Sequence, residues 1–290
     1  MKYDVVDIGS NTVVLIIYNT DTPVPEVLFY ESDPVRLVQY NTGGHISQEG
    51  IDRTCETLRR YREILSREQV ESFGAFITEP ARHIDNKEEL LSAFREAGFD
   101  VQALSGREEA EYDFEGSRLY VPDITTGNAF DIGGGSTELI AFRDGKIMEA
   151  VSLPWGCVRL LQSEINAADI NDILMDAFDQ YPLLQSVSSD TMVGIGGTCR
   201  AAGRVCDAVY GTGKVMYRRD LGTIFRKLND YDQETTEIMH RKVDPGRWEV
   251  FMPGVRMLMG ILWAYNADKV VISEGCVREG FLMRQIKNKG

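Results

Sequence analysis

The residues best suited to chemistry lie in one short run, Asp131-Ile132-Gly133-Gly134-Gly135-Ser136-Thr137-Glu138. Its three glycines remove every Cβ from the middle of the run, so a bulky anion can approach the backbone N–H groups closely. Ser136 and Thr137 add hydroxyl donors, while Asp131 and Glu138 are suited to hold Mg²⁺ or to polarise a water. A plain turn would need only one or two glycines; acid, hydroxyl and three glycines together point to phosphate binding. A second run, Val6-Asp7-Ile8-Gly9-Ser10-Asn11-Thr12, lies 124 residues upstream with the same Asp-Ile-Gly opening. There Ser10, Asn11 and Thr12 are the expected donors and Asp7 a more distant acid. A third glycine turn, Gly194-Ile195-Gly196-Gly197-Thr198, leads into a helix N-terminus, where anions also bind. It reads equally as phosphate contact through Gly196 and Gly197 or as tight strand–helix packing.

Hydrolysis of a phosphoanhydride needs cradled phosphates, neutralised charge and an aimed water. Arg82 follows a strand end, and a guanidinium suits bidentate phosphate contact; an exposed loop arginine is the plainer alternative. Glu108 and Glu109 open a helix, where acids in the first turn are ordinary capping, and spacing does not lift Glu109 above that. His45, His83 and His240 have no paired ligand spacing. The five cysteines contain no C-x₂-C pair, which argues against a thiolate metal site or a disulfide framework and for reduced thiols.

The elements that must position these groups follow from hydrophobic periodicity. Each Asp-Ile-Gly run reads as strand, tight turn and strand, a β-hairpin whose tip is backbone amide. Strands are expected at Tyr3–Ile8, Val13–Tyr18, Val24–Glu31, Ser72–Thr78 and Val101–Leu104. Ser47 caps a helix to about Arg67, Asn86 caps one through Ala97, and Ser105 opens one to about Leu119. The second half repeats the plan, with three strands to Leu153, helical patterning at 156–164 and 169–185, a strand at Met192–Ile195 and a helix from Thr198. Helices near 220–228 and 247–265, a strand at Lys269–Ile272 and a final helix from Val277 complete it. Strands alternating with helices mean α/β with mixed sheets. Repetition at a domain's length suggests a duplicated fold, with two facing hairpins across a cleft.

At 290 residues the chain has room for two domains. A formal net charge of −14 argues against DNA as a partner. Asp4, Asp7 and Asn11 interrupt any signal-peptide core, and no stretch approaches the roughly 18 apolar residues of a membrane span. A cytoplasmic location and no membrane partner are expected.

Five further motifs follow in order: Thr78 to Asn86, Ser105 to Ala110, Leu153 to Arg159, Gly194 to Arg200, and Ser273 to Gly280. With the two hairpins they resemble the exopolyphosphatase/guanosine-pentaphosphate phosphohydrolase (Ppx/GppA) family of the actin, hexokinase and Hsp70 superfamily, over nearly the whole chain. The resemblance implies two actin-like (ribonuclease H-like) α/β domains with mixed sheets around a central cleft. Residues 1–121 would form the first, with the helix at about 277–290 packing back on it, and 122–276 the second. It implies Arg82 as phosphate clamp, with Asn86 also matching, and Glu109 as the base. A carboxylate in a closed, partly dry cleft near Asp131 would have a raised pKa suited to activating water. Asp131 joins Arg82 and Glu109 as catalytic and Glu138 as metal ligand. Gly133, Gly134, Gly135, Ser136 and Thr137 cradle phosphate opposite Ser10, Asn11 and Thr12. Arg247 and Glu249 fall on a family Arg-x-Asp pattern and are read as structural.

The implied activity is release of terminal orthophosphate from inorganic polyphosphate or guanosine pentaphosphate, assisted by Mg²⁺ or another divalent cation. A homodimer is carried as an expectation that no residue of the sequence supports. Two other readings stay open: a phosphotransferase between polyphosphate and a nucleotide, and a catalytically weakened sensor that binds a guanosine alarmone. Thr78-Glu79-Pro80 stands where relatives have Thr-Ser-Ala, which places an acid near the site. Val14 stands at a position often basic in relatives, and Met216-Tyr217 replaces a His-Gly pair. The chain also ends after the second domain, without the helical region that gives longer relatives a basic channel. With a charge of −14, short polyphosphates or pentaphosphate are therefore expected to be preferred over chains of hundreds.

Overall fold

Apolar residues recurring through the first nineteen positions form two strands, β1 (Lys2–Ile8) and β2 (Val13–Asn19), paired antiparallel with Ile8 opposite Val13. Around them a computed structural model, which describes residues 1–70, 72–163 and 165–289, places a mixed sheet. β3 (Glu26–Asp33) pairs antiparallel with β2, while β6 (Ser72–Ile77) and β7 (Val101–Ala103) run parallel to β1, in the order β3-β2-β1-β6-β7. The two-residue strands β4 (Asn41–Thr42) and β5 (His45–Ile46) form a separate ribbon. Helix α1 (Gln48–Arg67) starts at Ser47, whose hydroxyl accepts from the Gly50 N–H, and buries Ile51, Leu58, Tyr61 and Leu65 on one face. Helix α2 (Lys87–Glu96) buries Leu90 and Phe94. Glu164 and Gly290, the ends of two expected helices, lie outside the described residues.

The chain forms two units: Met1–Glu109 together with Arg278–Gly290, and Ala110–Val277. The division falls inside α3 (Gly106–Arg118) rather than at Pro122, so residues 110–121 count with the second unit. The reason is packing: Phe114 stacks on Phe142 at 4.8 Å, and Asp113 accepts the Val277 N–H at 2.8 Å. The last helix, α10 (Val277–Lys289), is joined to the first unit by Phe281, which meets Phe76 at 4.8 Å over the space left by Gly74. A hydrogen bond of 2.6 Å from Tyr18 to Glu279 holds it there.

The second unit repeats the pattern. Strands β8 (Gly127–Ile132), β9 (Thr137–Arg143) and β10 (Lys146–Leu153) form an antiparallel meander, and β11 (Thr191–Ile195) runs parallel to β8. β13 (Lys269–Ile272) and β12 (Val215–Tyr217) complete the order β10-β9-β8-β11-β13-β12. Helices α4 (Cys157–Gln162), α5 (Ala167–Gln180), α6 (Gly196–Tyr210), α7 (Arg218–Asn229), α8 (Gln233–Lys242) and α9 (Trp248–Ala264) supply the remaining elements. The helix expected over 169–185 stops at Gln180, because Pro182 disfavours helical backbone at Tyr181 and opens a 3₁₀ turn instead. Met216 is fully buried in this unit's core, so one of the two departures there serves packing. Among the described residues no helix is long and apolar enough to cross a membrane.

Candidate phosphate-binding site

The two Asp-Ile-Gly hairpins close in the same way. In the first, the Gly9 N–H donates to the Thr12 carbonyl at 3.0 Å; in the second, Gly133 donates to Ser136 at 2.9 Å, 124 residues on. Both tips are then backed by a later segment that removes their carbonyls from the front. The Val38 and Arg36 N–H groups donate to the Ser10 and Asn11 carbonyls at 3.0 and 2.8 Å. The first turn of α4 does the same for the second tip, with Cys157 and Val158 donating to the Gly133 and Gly134 carbonyls, each at 2.9 Å. A phosphate would be repelled by those carbonyls and attracted by the amides, so this arrangement leaves the attractive edge of each tip. Among the described residues the amides of Ser10, Asn11, Thr12, Gly134, Gly135 and Ser136 donate to no acceptor. Gly156 makes the second backing possible, since a Cβ there would overlap the Gly134 carbonyl.

Side chains at the tips divide. Thr137, expected among the phosphate donors, is fully buried and gives its hydroxyl to the Trp155 carbonyl at 2.6 Å, so it fastens the tip. Ser136 is buried. Ser10 is buried and donates to Glu79 at 3.0 Å, which brings the unexpected acid directly to the first tip. Asn11 and Thr12 are half-exposed, 3.4 Å apart.

The acids differ between the tips as well. Asp131 and Glu138 stand opposite each other on β8 and β9, which puts both side chains on one face of the sheet. At the equivalent pair of the first tip, Asp7 faces Val14, and its charge lies 4.0 Å from Arg278. Glu138 is buried and accepts the Ser152 hydroxyl at 2.6 Å. A third acid, Asp113 on α3, completes the group and escapes a reading of the sequence. Burial first, then the charges of Asp131 and Glu138, hold its carboxyl protonated well above the usual carboxylate range, against the Val277 N–H bond that favours the anion. Protonated Asp113 donates to Asp131.

This makes a prediction about stability. An acid whose pKa rises on folding keeps its proton in the native state while the unfolded chain loses it above about pH 3.9. Stability must therefore fall as pH climbs from there towards the native pKa. Asp113→Asn keeps both bonds, with Oδ1 accepting from Val277 and Nδ2 donating to Asp131, and does not titrate. Melting curves in chelator from pH 5 to 8 should show the variant gaining on the wild type as pH rises. Parallel pH dependences would mean that Asp113 is ionised.

Side chains lie close against the third glycine turn. Gly196, at φ 77°, leaves room for the Asp131 carboxylate, and a Cβ on Gly197 would overlap the Arg247 guanidinium. Gly194 is the packing member, against Cys199 and Val270. Arg247, read above as structural, thus lies over the start of α6.

In the first unit the two carboxylates that open α3 separate by role. Glu108 accepts the Ser105 N–H and hydroxyl at 2.8 and 2.7 Å, and these bonds lower its pKa. It is the capping-box partner of Ser105. Glu109 forms an ion pair with Arg82, each side chain only 12% exposed, and Arg82 also donates to the Leu104 carbonyl at 3.3 Å. Asn86 occupies the N-cap position of α2 but does not cap it. Its amide instead bridges both backbone groups of Ile46, at 2.9 and 3.1 Å. His45 pairs with Asp85 on the surface and His240 stacks on Trp248. Among the described residues no group of three or more His, Cys, Asp or Glu side chains is arranged as a metal centre.

The geometry can be set beside known proteins. A model of the Ppx/GppA phosphatase family matches residues 16–289. The bifunctional 3-dehydroquinate synthase/phosphatase of Fusobacterium nucleatum is 24% identical over 98% of this chain and 46% of its own length, so the chain spans about half of that relative. Exopolyphosphatase 1 of Mycobacterium tuberculosis is 26% identical over 100% of this chain and 89% of its own. Among solved structures, the Aquifex aeolicus Ppx/GppA family member superposes with a TM-score of 0.80 at 24% identity, covering 100% of this chain and 99% of that one. The exopolyphosphatase of Cytophaga hutchinsonii gives 0.81 at 22% identity, covering 99% and 98%. At these identities the likeness establishes the fold, which is the two-domain actin-like one.

Proposed function

The chain belongs to the Ppx/GppA phosphatase family, and from that premise we propose that it hydrolyses the terminal phosphoanhydride of inorganic polyphosphate or guanosine pentaphosphate. The observation that carries the proposal is the pair of hairpin tips whose carbonyls are tied back by Val38 and Arg36 in one unit and by Cys157 and Val158 in the other. Each tip by itself is an amide cradle suited to a phosphoryl group. Arg82 is the clamp for one phosphoryl group, and its pairing with Glu109 keeps guanidinium and carboxylate within reach of each other until an anion competes for the arginine. Glu109 then aims and deprotonates the water.

The donor chemistry at the second tip fits a divalent cation: two carboxylates side by side, with a third acid beside them kept neutral. Asp131 and Glu138 would hold such an ion. When bound it would neutralise phosphoryl oxygens as negative charge builds on the leaving group. Five free cysteines, all buried, suit the reducing cytoplasm.

A second reading has one observation in its favour. The Glu79 carboxylate on Ser10 stands where a phosphate oxygen would compete for the same hydroxyl, as a weakened enzyme retained as an alarmone sensor would show. One assay separates the readings: phosphate release from polyphosphates of several lengths, guanosine pentaphosphate and ATP, with and without Mg²⁺ and with and without ADP as acceptor. Mg²⁺-dependent release from a condensed phosphate or from pentaphosphate is expected. Tight pentaphosphate binding with no release would select the sensor, and release of label to ADP in place of water would select a phosphotransferase.

A further inference from the structure

The sequence has 45 acidic against 31 basic residues, so a group of neighbouring arginines stands out against an acidic background. Three lie together on the second unit. Arg200 and Arg204 stand one turn apart on α6, and Arg247 lies over Gly197 at the start of the same helix. Arg200 donates to the Glu274 carbonyl at 3.2 Å and Arg204 to the Lys242 carbonyl at 2.9 Å. Among the described residues none of the three forms an ion pair. Arg204 registers the crowding: burial first, then the charges of Arg200 and Arg247, hold its pKa below the ordinary guanidinium value, with Glu274 and Asp244 opposing.

A cavity of about 240 Å³ opens at this place, lined by Arg200, Arg204, Asp207, Lys214 and Glu274 among others. Its acids are already engaged. Asp207 accepts the Gly213 N–H at 2.7 Å, and Glu274 pairs with Lys214 at 3.6 Å. The lining still carries three cations, Arg200, Arg204 and Lys214, against the two carboxylates of Asp207 and Glu274, an excess of positive charge that a bound anion relieves.

We propose that this cavity is a second anion site, which holds phosphoryl groups of a condensed-phosphate substrate remote from the one that is cleaved. The inference rests on the reading of the tips as a phosphate cradle. Helix α6 supplies the connection: Gly196 abuts Asp131, and positions 197, 200 and 204 fall on one helical face. Eight residues of helix carry that face about 12 Å from the Asp131 turn to Arg204. A chain whose end lies at that turn meets Arg247, then Arg200, then Arg204. The net charge of −14 thus has a local exception, and affinity should rise with chain length until the chain reaches Arg204 and Lys214, then level off.

The test compares the wild type with an Arg204→Gln/Lys214→Gln double variant, using calorimetric binding of tripolyphosphate, a long polyphosphate and inorganic phosphate at several salt concentrations. Lys146→Gln, on the opposite edge of the sheet, controls for net charge. Loss of two cation contacts should weaken long-chain binding about tenfold and flatten its salt dependence, while tripolyphosphate binding changes less than twofold. Arg204→Lys should retain most of the long-chain affinity. Lys214→Gln alone, at an exposed side chain, should give part of the loss even where the double variant melts early. Unchanged long-chain binding, or equal losses for both lengths, would overturn the proposal. A loss as large for inorganic phosphate would mean a site for the free ion and overturn it too. The hydrolase reading fails separately: a wild type that binds long polyphosphate but releases no phosphate refutes hydrolysis, and the binding difference still judges the cavity.

Discussion

Glu109→Gln should lower the turnover number for phosphate release by about 10²–10⁴-fold, the scale on which a positioned general base acts. Glutamine keeps the length of the side chain and can still accept from Arg82 through its carbonyl oxygen, so the pocket around it should persist. KM should move little, because the change removes a negative charge near the phosphates without removing a donor. The comparison that gives this result meaning is Glu108→Gln, one residue away. Glu108 is occupied by the Ser105 N–H and hydroxyl, and a glutamine oxygen can still accept both, so this variant should keep the capping box and leave turnover within a few-fold. Steady-state kinetics with melting curves for both variants decide the matter. A Glu109→Gln enzyme within a few-fold of wild type would remove Glu109 from the reaction. A slow Glu108→Gln enzyme with a native melt would move the role to its neighbour.

The difference between those neighbours shows what a sequence can carry. Strand, glycine turn and strand are written in consecutive residues, and both hairpins are legible from alternation and missing Cβ atoms alone. The segments that tie back their carbonyls are not, because Val38 and Cys157 meet the tips only after the chain has folded. Asp113 is easily overlooked although it leaves a trace. Ala110, Asp113, Phe114 and Ser117 fall on one buried stripe of α3, and a carboxylate on such a stripe is rare without a partner. Helix α8 goes unread because it buries only Thr235 and Met239, too few positions to show a period. The glycines at 196 and 197 read in the sequence equally as an anion contact and as tight strand–helix packing. Their immediate neighbours are the side chains of Asp131 and Arg247, which spacing along the chain could not reveal.

Gly156→Ala should abolish most activity while the protein stays folded, the largest effect expected from a residue that carries no functional group. Gly156 has φ −95° and ψ 172°, extended backbone that alanine adopts without strain. Any effect must therefore come from the methyl group itself, which would overlap the Gly134 carbonyl and crowd the Gly135 nitrogen. Both atoms are backbone, so neither can swing away as a long side chain would. The tip must move off the first turn of α4, and the Cys157 and Val158 hydrogen bonds that hold the Gly133 and Gly134 carbonyls back must lengthen or break. A displacement of about 1 Å in groups that position a reacting centre lowers rates by about 10²-fold. Overpacking of this kind costs about 1–3 kcal/mol, an amount that lowers the melting temperature without unfolding the chain at room temperature. Gly211→Ala provides the opposite case. Gly211 ends α6 in the left-handed region, at φ 68°, with nothing within 4 Å of the place a methyl would take. Alanine there should cost about 1 kcal/mol of backbone strain and leave activity alone. Two glycine variants of similar stability, one inactive and one active, would tie function to the geometry of the second tip. Equal activity in the two would mean that the tip tolerates the shift, and that the amides of Gly134 and Gly135 do not hold the substrate.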